Sequence, residues 1–157
     1  SSSKWNPRSM PSTVLFLCTG NYYRSRFAEA VFNHHAAGRG LGWCSVSRGI
    51  AIDQLGLNAG NLSPHTLTGL RDRGIACDAR APVSLTYGDL KSASMVVALD
   101  EREHRPMLDR SFPGWSGRVI FWNVADVGDL PADQALNRIE ALVKGLVDQL
   151  TTGCTRA

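Results

Sequence analysis

Long apolar runs are missing from this sequence; the longest, such as Val14 to Cys18 and Met95 to Leu99, hold only a few residues. A membrane-spanning helix needs about 20, so no segment is expected to cross a bilayer. Val14 to Leu17 is also too short for the apolar core of an export signal, despite Lys4 and Arg8 ahead of it. A cytoplasmic location is expected. Serine-rich Ser1 to Ser12 reads as a disordered tail or an expression remnant, and residues 13–157 as a single domain. Cysteine is scarce and scattered: Cys18, Cys44, Cys77 and Cys154 lack the close spacings of a zinc site or a disulfide scaffold. Free thiols in a reducing compartment follow. Among the histidines, His34 and His35 are adjacent and point about 100° apart on a helix, and His65 and His104 stand alone. Neither a metal nor another cofactor is expected. Lysine is scarce too, three residues against fourteen arginines, and arginine's planar fork suits phosphate or carboxylate. The arginines are scattered without interleaved aromatics, which argues against a nucleic-acid surface.

What is present is an ordinary globular composition with strand and helix patterns in alternation. Thr13 to Cys18 is a short run of strand formers ending at Thr19-Gly20-Asn21, and Phe27, Ala30, Val31 and His34 follow at helical spacing. Trp43 to Gly49 reads as a second strand. Ser63-Pro64 then supplies an N-cap and a proline at the first helical position, for a helix that carries Leu67 and Leu70 and stops at Gly74. Ser94 to Leu99 is a third, fully apolar strand, and Asp100 with Glu103 matches a capping box for a helix that Pro106 limits or kinks. Arg118 to Trp122 is a fourth strand. The last helix runs from about Pro131 to Leu150, with Ile139, Leu142, Val143, Leu146 and Leu150 on its buried face. Apolar strands separated by helices predict an α/β fold, a four-stranded parallel doubly wound sheet with helices on both faces. Ligands bind such sheets beyond the carboxyl ends of the strands. Cys18 closes the first strand at that end, and Asn123 to Asp126 follows the fourth.

The loop there reads Cys18-Thr19-Gly20-Asn21-Tyr22-Tyr23-Arg24-Ser25. The Cys-x5-Arg spacing alone is weak: with four cysteines and fourteen arginines in 157 residues, chance supplies it in about one such sequence in three. Its setting is more specific, because a loop between an apolar strand and an amphipathic helix lets backbone N–H groups and the helix N-terminus converge on one anion. N–H dipoles beside a guanidinium favour a thiolate nucleophile at Cys18. Arg24 can bind two phosphoryl oxygens and tighten its hold as charge shifts in the transition state. Gly20 admits a turn where a side chain would clash, and Ser25 can donate to the sulfur as it leaves.

Val14 to Asn21 with Arg24-Ser25 resembles the N-terminal signature of the low-molecular-weight protein tyrosine phosphatases, and the likeness extends to Ala28 to Phe32, to Ser47 with Gly49, and to Leu99-Asp100-Glu101. The resemblance implies metal-free hydrolysis of phosphomonoesters through a phosphocysteine, with Thr19, Gly20, Asn21, Tyr22, Tyr23 and Ser25 around the phosphate. It also implies a general-acid aspartate after the last strand, and an Asn21 that holds the loop in shape through Ser25 and Ser47. The expected partner is a phosphorylated protein or small phosphomonoester, met by a monomer or weak dimer, with neither nucleic acid nor membrane involved.

The sequence also departs from the family. Tyr23 stands where many members carry a second loop cysteine able to form a protective disulfide, so that safeguard is expected to be absent. The acid segment, Asp126-Val127-Gly128-Asp129, lacks both tyrosines of the family's Asp-Pro-Tyr-Tyr; Asp126 is the expected acid and Asp129 the alternative. A family position usually held by histidine aligns loosely with Asp78, which is given no role. An aromatic rim and simple packing are equal readings for Tyr22, and packing is favoured for Tyr23. Arg26 and Arg48 read as solvated surface arginines in preference to a basic mouth. Three rivals stand beside phosphotyrosine hydrolysis: a thiol-linked arsenate reductase, which needs relay cysteines beyond Cys77, a non-catalytic phosphate-binding module, and a phosphoarginine phosphatase.

Overall fold

A computed structural model describes residues 12–54 and 60–155, with side chains to residue 152. The tail expected over Ser1 to Ser12 lies outside the described residues except for Ser12, which already belongs to the first strand. Four parallel strands, β1 (Ser12–Cys18), β2 (Trp43–Gly49), β3 (Met95–Ala98) and β4 (Ile120–Phe121), form one sheet in the order β2-β1-β3-β4. Among the described residues, five α-helices lie between and after them: α1 (Arg24–Gly38), α2 (Pro64–Asp72), α3 (Tyr87–Ser92), α4 (Glu101–Ser111) and α5 (Ala132–Thr155).

Strand alternation distributes β1 between two cores. Val14 and Phe16 face α1 and α5, where they join Phe27, Val31, Phe32, Ile139 and Val143. Leu15 and Leu17 face the other way, toward Leu90 of α3, Leu108 of α4 and Phe112 just beyond it. All four β1 side chains are fully buried, each contributing about 1.5–3 kcal/mol relative to exposure. This two-sided burial is what the unbroken apolar run in the sequence encodes.

From central β1 the sheet extends to β2 on one side and to β3 and β4 on the other, so the strand order reverses beside β1. A crevice opens at such a switch point, beyond the carboxyl ends of the strands. Cys18 lies there, paired with Gly49 of β2, while Leu17 pairs with Ala98 of β3. Gly49 is required by close approach: a Cβ on it would sit 2.9 Å from the Thr19 carbonyl oxygen and 3.0 Å from the Asn21 nitrogen.

Several local expectations are revised. The fourth strand is only two residues long, because Val119 ends a short 3₁₀ turn and Asn123 bridges back to Asp100. Helix α4 continues past Pro106 to Ser111. The capping box is not at Asp100 and Glu103 but at Thr86 and Asp89, where it starts the unforeseen α3. At Asp100 the backbone N–H donates instead to His104 Nδ1 at 3.0 Å, which leaves the Glu103 side chain to turn elsewhere. Ser63 caps α2 as expected, accepting from the His65 N–H.

Candidate active site

The loop from Cys18 to Tyr23 leads directly into α1, whose first turn contains no acidic residue and whose N-cap position, Tyr23, makes no side-chain capping bond. The opening N–H groups of a helix have no intrahelical partner and carry partial positive charge, and Ser25 in this first turn has its Oγ 3.0 Å from Cys18 Sγ. The left-handed position in this loop is Asn21, at φ 51°, not Gly20. Outside the loop, the start of α2 ties down two carbonyls: the Ser63 N–H donates to Tyr22 O and the Thr66 hydroxyl to Tyr23 O, both at 2.9 Å.

A cavity of about 270 Å³ opens over the loop, lined by Cys18, Thr19, Gly20, Tyr22, Tyr23, Arg24, Gln54, Glu103, Met107 and Asp126. It brings together most of the residues singled out in the sequence. Cys18 is buried, and its Sγ lies 3.0 Å from Ser25 Oγ. Asn21 and Ser47, fully buried, lie behind the loop; Asn21 Nδ2 donates to Ser25 Oγ at 3.0 Å and to Ser47 Oγ at 2.9 Å. Arg24 is only 2% exposed, and its guanidinium is gripped on two sides, Nη1 donating to Val124 O at 2.9 Å and Nη2 to Glu103 Oε2 at 2.7 Å. Burial disfavours its charge, but Glu103, Cys18 and Asp126 outweigh that and push its pKa up.

Glu103 was foreseen only as a cap. Its carboxylate also accepts from the Thr19 hydroxyl and lies 3.2 Å from His104 Nε2. Because His104 Nδ1 accepts from the Asp100 N–H, the ring proton resides on Nε2 and is donated onward. Burial opposes the Glu103 charge, yet His104, Arg24 and Thr19 together hold the carboxyl well below the usual range. Asp126 is half-exposed, with Oδ2 at 3.8 Å from Arg24 Nη2 and Oδ1 accepting from the Val127 N–H. Asp129 lines a neighbouring cavity with Asp100 and Asn123, and not the one over Cys18.

Two arginines depart from the surface reading. Arg26 is 5% exposed and donates to four backbone carbonyls, those of Asn21, Asn61, Asp78 and Arg80. Arg48 is part-buried and pairs with Asp89 at 3.3 Å. Asp78, left without a role, contributes only its carbonyl to the Arg26 cluster and a side-chain oxygen to the Arg80 N–H. The residue that reaches Asn21 from that segment is Arg80, which no motif marked. Tyr23 is packed in the core beside His65, and Tyr22 is partly buried at the cavity wall.

The described residues contain no cluster of histidine, cysteine or carboxylate able to hold a metal ion, and no helix among them is long and apolar enough to cross a membrane. Comparison with known proteins agrees with the geometry. The chain is similar to a protein-arginine-phosphatase of Bacillus subtilis, 29% identical over 107 residues, covering 68% of this chain and 67% of that protein. It is also 34% identical over 92 residues to the low molecular weight protein-tyrosine-phosphatase YfkJ of the same organism, with 56% of each covered. Among solved structures, a low molecular weight protein tyrosine phosphatase from T. tengcongensis superposes with a TM-score of 0.71 at 26% identity, covering 90% of this chain and 99% of the other. The family description "Low molecular weight phosphotyrosine protein phosphatase" matches residues 13–121, which stops short of Asp126. That match spans the four strands, the loop after the first strand and Arg24 at the start of α1, and the chain therefore belongs to the low molecular weight phosphotyrosine protein phosphatases.

Proposed function

We propose that Cys18 is the nucleophile, Arg24 the phosphate-binding arginine and Asp126 the general acid of this phosphatase, with residues 13–157 acting as one domain. The observation that carries the assignment is the meeting of a buried cysteine, a buried guanidinium and a half-exposed carboxylate around one cavity at the uncapped start of α1. The Cys18 thiolate attacks phosphorus, the S–P bond forming as the P–O bond to the leaving group breaks. Asp126 gives its proton to the departing oxygen. A water, deprotonated by the Asp126 carboxylate, then attacks the phosphocysteine, breaking the S–P bond and releasing inorganic phosphate and the thiolate. Arg24 and the loop N–H groups stabilise charge on the equatorial oxygens throughout. A nucleophile of this kind has to stay reduced, which supports a reducing, cytoplasmic setting.

The substrate we favour is phosphotyrosine in a protein, because Tyr22 lines the cavity and an aromatic ring there suits a phenyl group. Phosphoarginine is the second reading; Glu103 and Asp126 both line the mouth and suit a guanidinium leaving group. An arsenate reductase receives no support, since Cys18 is the single cysteine lining the cavity among the described residues. The test is turnover of phosphotyrosine, phosphoserine and phosphoarginine peptides with chelator present. Cys18→Ser should abolish turnover, and Arg24→Lys should lower kcat by about 10²–10³, because an ammonium cannot reproduce the planar fork. Wild-type rates in Cys18→Ser would refute the nucleophile assignment.

A further inference from the structure

Outside the cavity over Cys18, two guanidinium groups meet at Asn21. Arg80 Nη1 donates to Asn21 Oδ1 at 3.1 Å, and its Nη2 reaches both Glu29 Oε1 at 3.0 Å and Ser47 Oγ at 3.1 Å. The Val83 N–H donates to the same Asn21 oxygen at 2.9 Å. Arg26 bonds the carbonyls of Asp78 and Arg80, at 2.8 and 2.9 Å, together with that of Asn21 at 3.1 Å, and so fixes the segment bearing Arg80 against the loop. Neither arginine lines the catalytic cavity.

Proton counting shows what this arrangement does. Arg80 and the Val83 N–H can only donate, so the Asn21 atom they face must be its oxygen, which turns both amide protons toward Ser25 and Ser47. Ser47 Oγ accepts from Asn21 and from Arg80 and donates its one proton to Glu29. Ser25 Oγ accepts from Asn21 and, 3.0 Å away, from the Cys18 thiol; once Cys18 is a thiolate it can only accept, and the Ser25 proton turns to the sulfur. The links from Arg80 through Asn21 to Ser25 each have a single direction, and the last one points to Cys18 in its thiolate form.

We infer that Arg80 is a positioning residue for Cys18: through Asn21 it aligns the hydrogen-bond chain so that Ser25 donates to the thiolate. The inference rests on the nucleophile assignment above. The charged groups facing Cys18 itself are Arg24 from α1, Glu103 from α4 and Asp126 after β4, and substitution of Arg80 leaves all three in place.

The test is the rate at which iodoacetamide alkylates Cys18 in the full chain from pH 5 to 9. It is read on the Cys18 peptide by mass spectrometry, since Cys44 and Cys77 are also free. Arg80→Gln should slow alkylation at pH 6 about tenfold, the scale of losing one hydrogen bond to a charged group, and the rates should converge at pH 9. In a Ser25→Ala background the same substitution should change the rate by less than about twofold, because the last link is already gone. A tenfold loss that persists in Ser25→Ala would mean that Arg80 acts by charge alone and would overturn the inference. So would equal rates in wild type and Arg80→Gln. Where circular dichroism shows Arg80→Gln to be unfolded, Arg80→Lys serves instead: it keeps the charge but cannot bridge Asn21, Glu29 and Ser47 at once, and a wild-type rate in it would equally overturn the inference. Wild-type turnover of p-nitrophenyl phosphate, measured beside Cys18→Ser, separates this failure from failure of the nucleophile assignment.

Discussion

Glu103 receives the Nη2–H of Arg24 at 2.7 Å, so one edge of the Arg24 guanidinium is already held by a carboxylate of the protein. With His104 and Thr19 also bonded to it, Glu103 keeps its charge to lower pH when folded than when unfolded. A depressed folded pKa contributes stability that is present above the unfolded value, about 4.3 for glutamate, and is lost as pH falls from there toward the folded value. Glu103→Gln lacks this contribution. The Tm difference between wild type and Glu103→Gln should be constant above about pH 6 and shrink steadily below about pH 4. Scanning calorimetry across that range checks it, and a difference that grows on acidification would contradict the linkage.

The choice of acid has its own signature. A proton donor matters most for poor leaving groups, so Asp126→Asn should slow phenyl phosphate or phosphotyrosine by about 10²–10⁴ and p-nitrophenyl phosphate much less. Asp129, which lines the neighbouring cavity, should show no such leaving-group dependence when changed to Asn. Steady-state rates on both esters decide it; the reverse pattern would exchange the two roles.

The strand, loop and helix around Cys18 could be read from the sequence because their signals are local: an unbroken apolar run, then a cysteine, then a helical period. What lay hidden depends on contacts between distant segments. Glu103 fits a capping pattern as well as it fits the site, and the deciding contact is the bond from the Asp100 N–H to His104 Nδ1. Arg26 resembles any other surface arginine until carbonyls from three separate segments close around it. Arg80 lies two residues beyond Asp78, in a loop whose alignment to the family is loose. Asp78 acts mainly through its backbone there, which no side-chain pattern records.

Replacement of the second loop cysteine by Tyr23 bears on oxidation. Among the described residues no other cysteine lines the cavity, so a sulfenic acid formed at Cys18 by hydrogen peroxide has no neighbouring thiol with which to condense. Mass spectrometry after peroxide treatment should find no intramolecular disulfide involving Cys18. Activity recovered by dithiothreitol should fall with exposure time as sulfinic acid accumulates. Full recovery at long exposure would show that a protective partner exists.

Tyr23 has a second consequence, for stability. Its hydroxyl is buried with no hydrogen-bond partner, and burial pushes its pKa up. Removing an unsatisfied buried group relieves its desolvation cost, so Tyr23→Phe should stabilise the fold by about 1 kcal/mol, raising Tm by roughly 2–4 °C for a domain of this size. Thermal unfolding measures this directly, and a lower Tm would mean that the hydroxyl is satisfied in solution.

The seat of Arg24 is built by residues far along the chain: Glu103 on one side and the carbonyl of Val124 on the other. A polypeptide emerges from the ribosome amino end first, so Cys18 and its loop reach the cell long before either partner does. Until Val124 has emerged, the nascent chain carries Cys18 without one of the two groups that hold the Arg24 guanidinium in place. If Arg24 binds phosphate as proposed, a fragment cut short before β4 would keep the cysteine but lack one side of the seat that holds the arginine beside it.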